Sequence, residues 1–156
     1  MRNTINNYIT FIIDDLRFAV PLSKTCRVFR AVLITPLPGS PNTVMGAVNV
    51  AGNVVPVMDF RHKIGLAARE IDVSDYFLLV QTKNRRVIFV ADAIEGVFHC
   101  SGKHITPAGE LTPGLKYISG ATGDESGLVF IHDLEEFLSS NEESQIRKVL
   151  ERAGVK

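Results

Sequence analysis

The feature that most limits how this chain of 156 residues can fold is an internal repeat. Four landmarks recur in the same order, at offsets that drift only from 69 to 74 residues: an Arg-led segment ending in Val-Phe, an Ile-Thr-Pro, a Gly-Ala, and an Asp before a bulky apolar residue. They begin at Arg17 and Arg86, Ile34 and Ile105, Gly46 and Gly120, and Asp59 and Asp133. A duplicated unit with approximate halves 8–66 and 76–138 accounts for all four landmarks.

Each half opens with a β-hairpin pattern. Residues 8–13 and 17–20 are apolar runs around a turn signal at Asp14 and Asp15, and residues 76–82 and 86–90 flank a polar turn at Lys83 and Asn84. With the segments that follow, each half has about five short strands broken by Gly and Pro. This pattern predicts a mainly β fold and favours two small barrels over one open sheet.

The predicted helical content is small. Asp59 is placed to cap a short helix that ends at Gly65, and Asp133 is placed to cap a second one with the sequence LEEFL. A longer C-terminal helix is predicted over 141–153, where an apolar stripe recurs at helical spacing: Ile146, Val149, Leu150 and Ala153. The stripe indicates a tail helix packed on its own domain, with a partner-binding helix as the alternative.

Charge and cysteine content limit the class of partner. Lys plus Arg total 17 and Asp plus Glu total 17, so no global field draws the chain to nucleic acid. No apolar stretch approaches the roughly 20 residues of a membrane span, so we expect no direct membrane insertion and a cytoplasmic protein.

Cys26 and Cys100 lack CxxC spacing and paired His ligands, which predicts two buried, reduced thiols.

No pattern of residues indicates catalysis. The four histidines form no HxH or HExxH motif, and His62 is interpreted as a solvated surface residue. His99 and Cys100 are adjacent, so on a strand their side chains would point to opposite faces. Glycine motifs that bind phosphate are absent. The sequence therefore predicts a protein that is not an enzyme and that holds neither a metal nor a cofactor.

The most informative segment is 46–61. Its stretch GAVNVAGNVVPVMDF is almost uncharged, with a turn predicted at Gly52 and Asn53. Polar residues do not alternate strictly along it, so both faces of this hairpin should be covered, one by a barrel interior and the other by the second barrel or another protein. Pro56 cannot donate to a strand ladder, which favours an edge position next to a partner.

These residues resemble the CheW family, the coupling proteins of bacterial chemotaxis arrays. The family's most recognisable stretch reads roughly G-x-x-N-L-R-G-x-V-x-P-V-x-D-L-R, and residues 46–61 read GAVNVAGNVVPVMDFR. Residues 35–41 (TPLPGSP) match an upstream T-P-x-P-G-x-P. Further matches are the opening hairpin, the stretch with Asp92, Glu95, Gly96 and Val97, and Tyr117-x-Ser119-Gly120. With these matches the resemblance covers residues 8–138.

The resemblance implies one domain over 1–156, made of two five-stranded β-barrel subdomains related by a pseudo-twofold, with short helices and a C-terminal α-helix. Exchange of the first strands between the halves is left open. It also implies a non-catalytic, cytoplasmic adaptor between the cytoplasmic tip of a methyl-accepting chemoreceptor and the regulatory domain of a CheA-type histidine kinase. The receptor's helical hairpin is expected in the groove between the barrels, and other CheW-like proteins are further partners.

The resemblance assigns partner binding to ten positions: Arg27, Val28, Val48, Asn49, Ala51, Gly52, Val54, Pro56, Gly96 and Val97. Two of them depart from the family pattern, because Ala51 stands where the family places an Arg and Arg27 where it places a Glu. Charge reversal at an interface disfavours the original partner. These departures make a divergent adaptor for a type IV pilus or developmental kinase one alternative. A separate alternative is an enzyme that uses the inter-barrel groove.

Overall fold

The computed structural model describes residues 5–108 and 117–154. The strands are β1 (Ile5–Ile13), β2 (Leu16–Pro21), β3 (Thr25–Arg30), β4 (Val44–Val50), β5 (Asn53–Met58), β6 (Tyr76–Gln81), β7 (Arg86–Ala91), β8 (Ala93–Ser101), β9 (Thr106–Pro107), β10 (Ile118–Asp124) and β11 (Gly127–His132). The α-helices are α1 (Phe60–Ile64), α2 (Leu134–Phe137) and α3 (Ser140–Arg152). The predicted mainly β class is confirmed.

The described residues form two compact units. Unit 1 takes residues 5–25, 91–108 and 117–137, and unit 2 takes residues 26–90 and 138–154. Unit 1 therefore combines β1 and β2 from the first half of the repeat with β8 to β11 from the second half. Unit 2 combines β3 to β5 from the first half with β6 and β7 from the second, so both units cut across the sequence halves.

Unit 1 is built on a six-stranded sheet with the order β8-β1-β2-β11-β10-β9. Its pairs are antiparallel except for β11, which lies parallel to β2. Aromatic and β-branched residues dominate β1, as is typical of pleated strands, and β2 contributes Phe18 and Val20. Phe11 and Phe18 face each other across this hairpin with ring centroids 5.7 Å apart, and both are buried.

Unit 2 is built on a five-stranded sheet with the order β3-β6-β7-β5-β4. The strand β5 lies antiparallel to β4 and parallel to β7. Four consecutive apolar residues of β6, FLLV, are buried, which is typical of a strand inside a sheet. The core cluster consists of Val48, Val55, Val57, Phe77, Leu79 and Ile88.

Neither sheet closes into a barrel within residues 5–108 and 117–154. The edge strands are β8 and β9 in unit 1, and β3 and β4 in unit 2. The sheet of unit 1 has six strands, whereas five were predicted. The extra strand β9 has only two residues, and its counterpart in unit 2 is a single bridge between Thr35 and Ala47. Both segments run directly into a proline, Pro107 or Pro36, whose missing N–H limits further pairing.

The structure explains why the Ile-Thr-Pro and Gly-Ala landmarks recur together. In unit 2 the Ala47 amide donates to the Thr35 carbonyl at 2.8 Å, and a Cβ on Gly46 would lie 2.6 Å from that carbonyl oxygen. In unit 1 a Cβ on Gly120 would lie 2.7 Å from the carbonyl oxygen of Thr106. Both glycines are therefore required by the close approach of another backbone segment.

The predicted helix caps are confirmed. The Asp59 carboxylate accepts a hydrogen bond from the His62 amide, and α1 ends at Gly65 with a left-handed φ of 83°. The Asp133 carboxylate accepts from the amides of two α2 residues, Glu135 and Glu136.

The helix α3 packs on its own unit. Ser139 and Glu142 form a capping box at its start, and the predicted stripe residues Ile146, Val149 and Leu150 are buried. Ala153 follows the last helical residue and is exposed, so its place in the stripe was predicted wrongly. No helix in the part of the chain that the structure describes is long and apolar enough to cross a membrane.

Candidate partner-binding surface

The ten predicted binding positions divide between the two units. Eight lie in unit 2, on β3 and on the β4–β5 hairpin, while Gly96 and Val97 lie on β8 of unit 1. The strand order of unit 2 separates β3 from β4 by three strands. The structure therefore presents the unit 2 positions as two segments, the hairpin and the end strand β3.

The tip of the β4–β5 hairpin is a tight turn over Ala51 and Gly52. Their φ angles are 51° and 88°, the left-handed values that a type I′ turn needs at both central residues. The Asn49 side-chain oxygen accepts a hydrogen bond of 2.9 Å from the Gly52 amide and holds the turn. The predicted turn at Gly52 and Asn53 was therefore one residue too late, because Ala is an unusual residue at positive φ.

Exposure changes sharply along this hairpin. Asn49, Ala51 and Gly52 at the tip are exposed and Val54 is partly exposed. Val48 is buried in the unit 2 core, together with Val55 and Val57. The base of the hairpin is thus covered by the core of its own unit, and the surface open to a partner is the uncharged tip.

Pro56 does not lie on an edge strand, contrary to the prediction. It is buried on β5, which has β4 on one side and β7 on the other. An interior strand accepts this proline because the parallel pairing with β7 begins only at Val57, opposite Ile88.

The end strand β3 carries a basic surface. Arg27 is exposed, and its guanidinium lies over the ring of Phe29 at 5.2 Å from the centroid. Arg30 lies over the ring of Tyr76 at 4.7 Å. These cation–π contacts orient the two side chains while keeping their charge in solvent. Cys26 on the same strand is exposed, so the prediction of a buried thiol was wrong there and is confirmed only for Cys100.

In unit 1 the predicted positions lie beside an ion cluster that the sequence did not predict. Val97 is 52% exposed, and Gly96 has a φ of 129° opposite Thr10, where the pairing of β1 with β8 shifts register. Next to them, the Arg17 guanidinium donates to Glu95 at 2.8 Å and to Asp124 at 2.7 and 2.9 Å. The only sequence signal for this cluster is that Arg17 is opposite in charge to Glu95 and Asp124, and these residues lie far apart in the chain.

The ion cluster shifts the protonation of its members. The pKa of Arg17 is raised by its hydrogen bonds to Asp124 and Glu95. The same hydrogen bond from Arg17, together with the Ser126 amide, lowers the pKa of Asp124 to about 2. Arg17 and Asp124 are therefore both charged at neutral pH. The Glu95 carboxylate, which lies beside Gly96, is already paired with the Arg17 guanidinium.

Among residues 5–108 and 117–154, no group of three or more His, Cys, Asp or Glu side chains is placed to hold a metal ion. His62 is exposed, as predicted. His99 is exposed and contacts the Asn7 side chain, whereas Cys100 is buried, which confirms the predicted opposite faces.

Comparison with known proteins gives one consistent result. The chain matches the CheW-like domain family over residues 7–142. It is 26% identical over 136 residues to a chemotaxis protein CheW of Rhizobium meliloti, covering 86% of this chain and 88% of the relative. It is 31% identical over 90 residues to the protein FrzA of Myxococcus xanthus, covering 58% of this chain and 56% of FrzA.

The fold is shared with a solved structure. The crystal structure of the scaffolding protein TtCheW from Thermoanaerobacter tengcongensis superposes with a TM-score of 0.80, at 18% identity. The match covers 89% of this chain and 96% of that one. At this level of identity the comparison shows the common fold of the two chains.

Proposed function

The chain belongs to the CheW-like domain family, and from that premise we propose that it is a non-catalytic, cytoplasmic adaptor between a chemoreceptor and a histidine kinase. Its partners are the cytoplasmic tip of a methyl-accepting receptor and the regulatory domain of a CheA-type kinase, with other CheW-like proteins as further partners. Residues 1–156 act as one domain. The mechanism is assembly: the adaptor holds receptor and kinase together, so that the kinase equilibrium follows the receptor state.

One observation carries this proposal. The stretch of this chain that is most similar to the family pattern forms a hairpin whose base is buried and whose uncharged tip is exposed. The Asn49 side chain fixes the tip by its bond to the Gly52 amide, so a partner meets a pre-organised surface. Depletion of charge is typical of the centre of a protein interface.

Partner choice is proposed to differ from that of a standard chemotaxis adaptor. Ala51 brings no charge to the hairpin tip, and Arg27 presents a positive charge where the family pattern has a negative one. The partial similarity to FrzA supports a related pathway as the second candidate, in which the adaptor serves a type IV pilus or developmental kinase. Both candidates share the adaptor mechanism and differ only in the charge of the partner surface.

Co-elution of the full chain with the regulatory domain of a CheA-type kinase from the same genome tests the adaptor function. We expect a complex with a micromolar dissociation constant, measured by calorimetry. No complex at concentrations of roughly tens of micromolar, with either that domain or a receptor tip hairpin, would overturn the proposal.

Charge substitutions test partner choice. We expect Arg27→Glu combined with Ala51→Arg to strengthen binding to a standard chemotaxis kinase or receptor, because it restores the family charges. Arg147→Glu, which changes an exposed cation on α3, is the matched control and should leave the affinity unchanged. An unchanged affinity for the double variant would mean that these positions do not select the partner.

A further inference from the structure

Unit 2 exposes three large apolar side chains in one place. Leu33 is 96% exposed, Val73 is 85% exposed and Val32 is 46% exposed. All three line one groove of about 490 Å³. Its other apolar residues pack on the unit 2 core and are Ala31, Ile34, Met45 and Ile71. Single exposed apolar side chains are ordinary, but a contiguous apolar patch above a packed base marks an interaction surface.

The backbone around the groove indicates which secondary structure can bind there. Its walls are segments 31–34 and 70–73, which lie outside the strands. The Ala31 amide is already bonded to the Asp75 carbonyl at 2.9 Å. A partner strand needs a regular edge of unpaired backbone groups, whereas a helix binds a groove through its side chains alone. The groove therefore suits a helix.

The charge around the groove indicates the polarity of that helix. The two charged residues that line it are acidic, Glu70 and Asp72. A hydrogen bond from the Ser74 hydroxyl lowers the pKa of Asp72, so this carboxylate is ionised at neutral pH. Two cations beside the groove have contacts of their own: Arg69 is bound to the Asp75 carboxylate at 2.7 Å, and Arg30 lies over the Tyr76 ring at 4.7 Å from its centroid. An occupant with Lys or Arg beside its apolar face matches this rim.

We propose that this groove docks an amphipathic helix of a partner protein that carries leucine-type side chains on one face and basic residues on its flank. The proposal goes beyond the adaptor function, because none of the groove residues is among the ten positions assigned to kinase and receptor binding. The site is contained in unit 2 and needs no second copy of the chain.

Binding of two synthetic peptides to the full chain tests the proposal. One peptide places leucines at positions i, i+3, i+4 and i+7 of a helix with lysines beside them, and the other replaces every lysine by glutamate. Fluorescence anisotropy should show at least about tenfold tighter binding of the lysine peptide. Leu33→Asp should weaken that binding at least about tenfold. Leu128→Asp, which changes a 63% exposed leucine of unit 1, should not.

Each contrary result overturns the proposal. Equal affinity for both peptides would show that Glu70 and Asp72 do not select a basic helix. An equal loss of affinity in Leu33→Asp and Leu128→Asp would mean that the peptide adsorbs non-specifically. A concentration-dependent dimer that Leu33→Asp abolishes in sedimentation would assign the groove to self-association instead. The fold is not at risk in this test, because Leu33 contributes almost no buried area, and an unchanged unfolding temperature verifies it. Kinase binding is measured separately through Arg27 and Ala51, so the two proposals fail independently.

Discussion

The hairpins β4–β5 and β10–β11 hold equivalent places in the repeat, but their surroundings differ in charge. In unit 1, Arg17 binds Glu95 and the end of β10 at Asp124. The residues at the equivalent places in unit 2 are Arg86, Cys26 and Val50. No ion pair of Arg86 occurs among residues 5–108 and 117–154. In unit 1 the charge of Arg17 is therefore neutralised by Glu95 and Asp124. The equivalent Arg86 of unit 2 has no such carboxylate partner among the described residues.

A second difference concerns the helices that follow these hairpins. By the repeat offset, Lys63 on α1 corresponds to Phe137 on α2, and Thr43 corresponds to Tyr117. In unit 1 the two aromatic rings pack edge to face at 5.6 Å. In unit 2 the Lys63 ammonium lies 2.6 Å from a Glu142 carboxylate oxygen, and the Thr43 hydroxyl donates to the other oxygen at 2.5 Å. The place of an aromatic pair is therefore taken by a polar anchor for α3.

The largest expected effect tests what the two units share. Gly46→Ala and Gly120→Ala should each destabilise the protein by about 3 kcal/mol, because the added Cβ meets a backbone carbonyl that cannot move aside. Urea unfolding of both variants measures the loss. Gly65→Ala is the control, since nothing lies within 4 Å of its Cβ and only its left-handed φ is strained, at about 1 kcal/mol. A loss at one glycine alone would mean that the close approach is not equivalent in the two units.

The second prediction concerns the polar anchor of α3. Glu142→Gln should destabilise the protein by about 2 kcal/mol at neutral pH, because the Lys63 side chain is only 2% exposed and the negative charge 2.6 Å from its ammonium is removed. Glu151→Gln on the exposed side of the same helix is the control and should change stability little. Equal losses in the two variants would mean that the Lys63 contact contributes nothing specific.

The pH dependence of the anchor follows from Glu142. Burial alone would raise its pKa, but hydrogen bonds from Lys63 and Thr43 outweigh burial and lower it below that of an unfolded glutamate. The unfolded chain therefore binds more protons, so this stabilisation is complete above the unfolded pKa and is lost as pH falls through the folded pKa. Urea unfolding at a series of acid pH values should show wild type and Glu142→Gln converging. A constant difference would contradict an ionised Glu142.

What could be predicted from the sequence differs between local and distant contacts. The helix caps at Asp59 and Asp133 were predicted correctly because each bonds to amides two or three residues away. The ion pair of Lys63 with Glu142 was not, because it joins residues 79 positions apart and charges carry no periodic signal. The edge position of Pro56 was wrong for a related reason. Strand order depends on distant pairing, and a local rule about proline does not determine it.

The third prediction returns to the charge difference between the units. Arg17→Met should lower the unfolding temperature by about 2–4 °C at low salt, because it leaves Glu95 and Asp124 without their shared cation. Arg86→Met should leave the temperature unchanged, since no carboxylate of residues 26–90 or 138–154 binds Arg86. Added salt should reduce the difference between the variants, because the cluster is partly exposed. Equal shifts in both variants would show that the two surfaces do not differ in this way.

The smallest expected effect lies at the hairpin tip of unit 2. Ala51 adopts a φ of 51°, which an alanine side chain tolerates poorly, and Asn is favoured before Gly in a type I′ turn. Ala51→Asn should therefore raise stability by roughly 0.5–1 kcal/mol in urea unfolding, while Ala51→Val, with a branched Cβ, should lower it by about as much. Asn adds no charge, so kinase binding should change far less than with Ala51→Arg. If Ala51→Asn is not stabilising, the turn does not hold Ala51 at positive φ, and the tip of unit 2 adapts to its partner rather than meeting it pre-organised.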